Sequence, residues 1–168
     1  MSPWVKNTQG HSMEIDFSIT TRDLLKKITI PIKLTNNNDG QTRHFGMSAN
    51  QRKKYAKIIR DKFGQQQPFK ERVLILVVRV LGKGQRLWDQ SSVLRGNWKQ
   101  IEDSLVECGF MQDDGPEFVS LAIGDQDNSD RTRESCTEVW FFKAKPFVRK
   151  ANGNKIKRTL RNKTSTTK

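Results

Sequence analysis

The 168-residue sequence predicts an α+β fold in which a mixed β-sheet packs against two main helices and a flexible basic C-terminal tail follows. Three observations carry this prediction. One apolar run has the length of a buried strand, two segments have helical periodicity, and the composition changes abruptly near the C-terminus. The predicted divisions are an N-terminal arm (1–27), a single domain (28–143) and the basic tail (144–168).

Four strands are predicted for the sheet. "ITIPIKL" at 28–34 predicts an edge strand, because Pro31 cannot donate a ladder hydrogen bond. "ERVLILVVRV" at 71–80 is almost continuously apolar, which predicts a central strand buried on both faces. "EFVSLAI" and "TEVWFFKA" predict two more strands, and the polar segment between them, "GDQDNSDRTRES", predicts a long flexible hairpin loop.

Two helices are predicted from capping residues and periodicity. The first runs from Ser48, a suitable N-cap, to Gly64, and its apolar residues share one face while basic residues crowd the rest. The second spans 93–108, with Ser91 or Ser92 as the N-cap and Gly109 as the C-cap.

The charge balance favours a polyanionic partner. The chain has 31 Lys and Arg against 18 Asp and Glu, a net charge of +13. Ten of these basic residues and no acid lie from Lys143 onward, so the tail supplies most of the imbalance. Nucleic acid is the usual partner of such a chain. The alternative is an RNA-binding, ribosome-associated or merely basic protein.

Other classes of protein are disfavoured by composition. The two cysteines make no disulfide framework and no zinc motif, which is typical of a reducing, intracellular setting. No apolar run has the length of a membrane span, and the N-terminus lacks the apolar core of a signal peptide. We therefore expect an intracellular protein that is not secreted and has no membrane partner.

Carboxylates at both ends of the second helix are candidates for chemistry. Asp89 precedes this helix, and Asp113 and Asp114 follow it; hard oxygen ligands of this kind suit magnesium. A straight helix would separate its two ends by about 25 Å, so convergence requires that the chain bend back or that a second subunit contribute. The alternatives are a pre-helix cap for Asp89, a "QDDGP" turn for the aspartate pair, and an i,i+4 ion pair between Lys99 and Asp103.

The order of these motifs resembles the RusA family of Holliday junction resolvases. "KQIEDSL", beginning at Lys99, fits the family's Lys-x-x-x-Asp-x-Leu helix, and "CGFMQDD" fits the Gly-apolar-x-x-Asp-Asp that follows it. The likeness spans about residues 28–143, with 87–115 as the specific part. It implies a small, dimeric, magnesium-dependent enzyme of phage type, in a bacterial cytoplasm or phage-infected cell. Such an enzyme resolves Holliday junctions and other branched DNA.

The resemblance also implies roles for individual residues. Asp89 matches the first aspartate of the family's D-x-D-N element, and Asp114, with Asp113 beside it, matches the aspartate after the helix. These three would hold Mg²⁺ or Mn²⁺, while Lys99 would stabilise the scissile phosphate or the leaving oxygen. Ser91 and Ser92 stand where the family has aspartate and asparagine. This departure leaves open an impaired or inactive DNA-binding protein that acts in recombination, packaging or regulation.

Basic residues of the first helix, of the start of the predicted second helix and of the tail are the predicted DNA contacts. Positive side chains on one surface bind phosphate without regard to sequence. The residues are Arg52, Lys53, Lys57, Arg95, Arg149, Lys150, Lys155, Lys157, Arg158 and Arg161.

Overall fold

The computed structural model describes residues 21–36 and 45–144, together with the backbone of 150–151 and 154–155. The chain divides into two compact units. One comprises Ile19–Ala144, and the other comprises Met1–Ser18 with Lys145–Lys168. In the second unit the described residues form a short antiparallel ladder in which Lys150 pairs with Lys155.

The larger unit has the predicted α+β architecture. In chain order its elements are β1 (Leu24–Ile30), α1 (Phe45–Phe63), β2 (Val73–Val80), α2 (Trp98–Glu107), β3 (Val119–Asp127) and β4 (Cys136–Lys143), with short 3-10 turns at Thr21–Asp23 and Gln90–Ser92. The strands form one mixed sheet in the order β1-β4-β2-β3. β2 and β3 are parallel, and β4 is antiparallel to both β1 and β2.

The two helices cover one face of the sheet and enclose the core. Tyr55 and Ile59 of α1 and Ile101 and Leu105 of α2 are buried in the same cluster as alternate residues of β2 such as Ile75. This alternation follows from the period of two in a strand. No helix in the described part of the chain has both the length and the apolar composition needed to cross a membrane.

The predicted positions of the first two strands in the sheet are confirmed. β1 is an edge strand and β2 is internal, as the proline and the continuous apolar run indicate. The predicted bounds of β1 are wrong, however. It starts at Leu24, inside the predicted N-terminal arm, and it ends at Ile30, just before Pro31. The sequence hides this start because two lysines occupy it, and Lys27 packs its ammonium over the Trp140 ring, 4.3 Å from the ring centroid.

The predicted hairpin between the last two strands is wrong. β3 and β4 are not neighbours, because β2 lies between them. β3 continues to Asp127 along its parallel partner β2, so the segment after it crosses the end of β2 to reach β4. Local polarity predicts a loop, but it does not say which strand the chain pairs with next.

The predicted start of α2 is also wrong. The helix begins at Trp98, and Asn97 occupies its N-cap position without a side-chain capping bond. Ser91 and Ser92 lie in the preceding 3-10 turn and do not cap α2. Gly96 explains the late start: its φ is +85°, and a Cβ there would lie 1.9 Å from the Thr35 carbonyl oxygen.

Asn97 ties this late helix start to the rest of the domain. Its side-chain oxygen accepts the backbone N–H of Thr35 at 2.8 Å, and its amide donates to the Lys33 carbonyl at 3.1 Å and to the Tyr55 hydroxyl at 2.9 Å. The predicted C-terminal ends of both helices are confirmed, since Gly64 and Gly109 follow them with φ of +70° and +79°. The predicted start of the first helix at Ser48 is wrong, because α1 already begins at Phe45.

Candidate functional site

The loop that carries Asp89 is fixed to β3 by side-chain hydrogen bonds. The Gln126 side chain accepts the Trp88 backbone N–H at 2.9 Å and donates to the Trp88 carbonyl at 2.8 Å. On the other side of Asp89, the Gln90 amide donates to the Gly124 carbonyl at 2.6 Å. The backbone on both sides of Asp89 is therefore held against one strand.

Arg79 strengthens this attachment from inside the sheet. Its side chain is 3% exposed, and its guanidinium carbon lies 3.6 Å from the centroid of the Trp88 ring. It donates to the Arg86 carbonyl and to the Gln126 side-chain oxygen, both at 3.0 Å. Burial, followed by the nearby charge of Arg131, lowers the pKa of Arg79 below its usual value. This charge is compensated by an aromatic face and carbonyl oxygens, with no ion pair to a described carboxylate.

The Asp89 side chain makes no hydrogen bond to the described part of the domain. It precedes the 3-10 turn, its carboxylate makes no capping bond, and its backbone carbonyl accepts the Ser92 N–H at 2.8 Å. The residue is exposed, and its side chain has no hydrogen bond or ion pair with the described residues. Asp89 is thus a carboxylate without a partner in the described part of the chain, on a backbone that is anchored on both sides.

Asp114 is brought back to the first turn of α2. The Lys99 ammonium contacts the Asp114 carboxylate, and it also lies 2.9 Å from Asp103 and 3.7 Å from Glu102. The predicted i,i+4 pair of Lys99 and Asp103 is therefore present. The chain doubles back after the ten-residue α2, which brings Asp114 to Lys99 at the start of the helix.

The electrostatics of this cluster keep Lys99 charged. Burial lowers the pKa of Lys99, but the hydrogen bond and charge of Asp103, together with those of Glu102, raise it by more. The pKa of Lys99 therefore stands above its ordinary value. Burial raises the pKa of Glu102, and the opposing charge of Lys99 only partly offsets this. The cluster presents a protonated lysine beside Asp114 at neutral pH.

The Asp113 side chain makes a hydrogen bond within its own segment. Its side-chain oxygen accepts the backbone N–H of the next residue, Asp114, at 2.8 Å, and Asp113 is exposed.

The three predicted metal ligands do not form one centre. Within residues 21–36 and 45–144, no group of three or more His, Cys, Asp or Glu side chains is placed to hold a metal ion. Lys99 binds the carboxylate of Asp114, and the Asp113 carboxylate accepts the backbone N–H of Asp114. The donor chemistry that remains is two carboxylates, Asp89 and Asp114, which is within the one or two that magnesium often takes from a protein.

The predicted DNA-binding residues of the larger unit lie on its surface. Arg52, Lys53 and Lys57 are exposed along α1, and Arg95 is exposed in the loop before α2. Arg52 lies 4.0 Å from Asp103, so the α1 surface adjoins the Lys99 cluster. In the tail, the backbones of Lys150 and Lys155 lie in the short ladder. Arg149, Lys157, Arg158 and Arg161 lie outside the described residues.

Sequence reasoning did not identify two residues that organise this site, Arg79 and Gln126. A single arginine inside the apolar run "VLILVVRV" is a usable signal, because a charge in a central strand needs a specific partner. Gln126 gives no such signal, since its role depends on a loop that begins 45 residues earlier in the chain.

Comparison with known proteins found no match. No protein-family model matches the chain, and no curated protein matches it.

Proposed function

We propose that this chain binds branched DNA, such as a four-way junction, and cleaves it in a magnesium-dependent reaction, as its resemblance to the RusA family implies. The observation that carries the proposal is Asp89. Its carboxylate has no partner among the described residues, although side chains fix the backbone on both sides of it. Such an arrangement fits a group that acts on a ligand, because a rigid backbone aims a side chain that does no structural work.

Lys99 is the second functional group of the proposed centre. It is protonated and touches Asp114, which orients the ammonium at the start of α2. A fixed positive charge stabilises the negative charge that develops on phosphate oxygens during phosphodiester cleavage. Lys99 would do this only if DNA displaces part of its present contact with the carboxylates.

Magnesium enters this proposal from the resemblance and from the chemistry of the donors. Asp89 and Asp114 are the residues that would hold it, with water and DNA phosphate as the other ligands. Bound magnesium activates water and offsets phosphate charge. Manganese has the same preference for oxygen ligands and is the natural substitute in an assay.

DNA binding is supported by the surface of α1. Arg52, Lys53 and Lys57 are exposed there, and neither lysine has an ion pair with a described residue. A positive helical surface beside the Lys99 cluster fits a duplex arm of a junction. Two symmetric cuts in a four-way junction require two centres, so the proposed active form is a homodimer.

The second candidate is a RusA-like protein that binds branched DNA without cutting it. One observation favours it: the Lys99 ammonium already neutralises Asp114, and Ser91 supplies no carboxylate at the position where the family has one. Both candidates predict the same binding surface and differ only in chemistry.

Cleavage of a synthetic four-way junction in magnesium tests the proposal. Asp89→Asn should reduce the rate at least about 100-fold, the scale of losing a key electrostatic group, and should leave junction binding in a gel shift intact. Asp61→Asn is the matched control, because Asp61 is an exposed aspartate of α1 remote in sequence from the site. It should leave cleavage unchanged.

Two results would contradict the proposed cleavage. Robust cleavage by Asp89→Asn would place the chemistry elsewhere. Intact binding by the wild-type chain with no cleavage in magnesium or manganese would establish the second candidate. The mass of the protein in solution tests the homodimer separately.

A further inference from the structure

Three loops surround an open cleft at one end of the sheet. β1, β2 and β3 run in the same direction and β4 runs opposite. The segments after β1, after β2 and before β4 therefore emerge at the same end. They line an open depression of about 470 Å³.

Each of the three segments contributes a basic side chain to this cleft, namely Lys33, Lys83 and Arg133. Lys33 and Lys83 are exposed and have no ion pair with any described residue. Arg133 gives one amino group to Asp127, while its Nε is buried without a partner in the described part of the chain. Among the described residues of the lining Glu134 is the one carboxylate, so basic side chains outnumber acidic ones there.

The walls of the cleft are held in place by backbone contacts. A Cβ on Gly82 would lie 3.1 Å from both the Arg133 carbonyl oxygen and the Ser135 nitrogen, so these two segments are in close contact. Gln85 accepts the Gly82 N–H at 2.9 Å through its side chain and a bond from Arg131 through its carbonyl. A cleft fixed in this way loses little conformational entropy when a ligand binds.

The cleft and the proposed catalytic carboxylate belong to the same loop. Lys83 lies six residues before Asp89, and Arg79 anchors the backbone between them through the Arg86 carbonyl at 3.0 Å. The loop that lines the cleft therefore continues directly into the segment that carries Asp89. Neither α1 nor its basic surface contributes to the cleft lining.

We propose that Lys33, Lys83 and Arg133 form a second nucleic-acid contact, a cleft that binds the phosphodiester backbone of a DNA strand beside the Asp89 loop. The inference rests on the proposed function for its ligand, DNA, but it does not depend on cleavage. Lysine ammonium groups bind phosphate as point charges, and the arginine adds a directional donor. The contact carries no sequence preference, because only the backbone is held.

Salt-dependent binding of the full chain to a single-stranded oligothymidylate of about 20 nucleotides tests the cleft. The Lys33→Ala/Lys83→Ala variant removes two phosphate contacts and should weaken binding. The slope of the logarithm of the binding constant against the logarithm of the salt concentration should become less steep by about 1.4. The matched control is Lys70→Ala/Arg72→Ala. These two exposed basic residues precede β2 and so lie at the opposite end of the sheet. The control slope should stay at the wild-type value.

An unchanged slope in the Lys33/Lys83 variant, or an equal change in the control, would overturn the inference. Amide chemical shifts locate the contact independently, because oligothymidylate should shift Gly82, Gly84 and Ser135. Shifts confined to α1 would also overturn it.

The oligothymidylate has no branch and needs no cutting, so the experiment separates the two proposals. A wild-type chain that neither prefers nor cleaves junctions, but whose slope depends on Lys33 and Lys83, would refute the proposed function and keep the cleft. Junction cleavage by a chain whose salt slope does not depend on Lys33 and Lys83 would support the proposed function and refute the cleft.

Discussion

Asp89 and Asp114 flank the same helix, but the domain fixes them by different means. At Asp89 the backbone is anchored to β3 by Gln126 and Gln90, and the carboxylate has no partner among the described residues. At Asp114 the carboxylate itself is held by Lys99, and the backbone N–H donates to the Asp113 side chain. Anchoring the backbone keeps a carboxylate available to a ligand, whereas pairing the side chain makes a ligand compete for it.

The largest loss of stability is expected for a substitution at Gly96. This residue packs the Asp89 loop against the segment after β1. Gly96→Ala places a Cβ 1.9 Å from the Thr35 carbonyl oxygen at a φ of +85°, which should cost about 3 kcal/mol or more of unfolding free energy. Denaturant unfolding measures it. Gly84→Ala is the control: it has a φ of +75° but nothing within 4 Å, so it should cost only about 1 kcal/mol.

A smaller effect is expected when the Asp89 anchor is cut. Gln126→Leu leaves the Trp88 backbone N–H and carbonyl, and one Arg79 donor, without their partner. Unpaired groups of this kind cost about 1–3 kcal/mol, and hydrogen exchange at the Trp88 amide should accelerate. Gln112→Leu, an exposed change beside Asp113, should stay within about 0.5 kcal/mol. Equal losses at Gln126 and Gln112 would show that the two regions are anchored alike.

The smallest effect on stability is expected at Lys99. Lys99→Met removes partly exposed ion pairs, which are worth about 0.5 kcal/mol or less. It should also free Asp114, so calorimetric titration should show tighter magnesium binding than in the wild-type chain. Lys99→Arg keeps the charge and should keep the wild-type affinity. A loss of more than about 2 kcal/mol in Lys99→Met would instead mark this lysine as a structural element.

The parts of the fold that the sequence predicted are those with local causes. The continuous apolar run of β2 and the helix-ending glycines Gly64 and Gly109 act within a few residues, and the structure confirms what they predict. The start of α2 depends on Gly96 meeting Thr35, a residue about 60 positions away, and no local pattern reports that contact.

The candidate site divides in the same way. The ion pair of Lys99 with Asp103 follows from helical spacing alone. The anchoring of the Asp89 loop depends on Gln126 and Arg79, which reach it from other strands. The number of carboxylates that a metal could share depends on how the chain returns after α2, and spacing leaves that return undetermined.

The pairing of β1 with β4 has a consequence for how the chain folds. Leu24 pairs with Phe142, and Ile30 with Thr137, so the first strand finds its partner only when the last one exists. During synthesis, β1 therefore stays unpaired until nearly all of the domain has left the ribosome. Contacts of such long sequence separation slow folding and leave apolar strands exposed in the meantime. The waiting strand carries Lys26 and Lys27 among its apolar residues, and charges of this kind oppose pairing with the wrong chain.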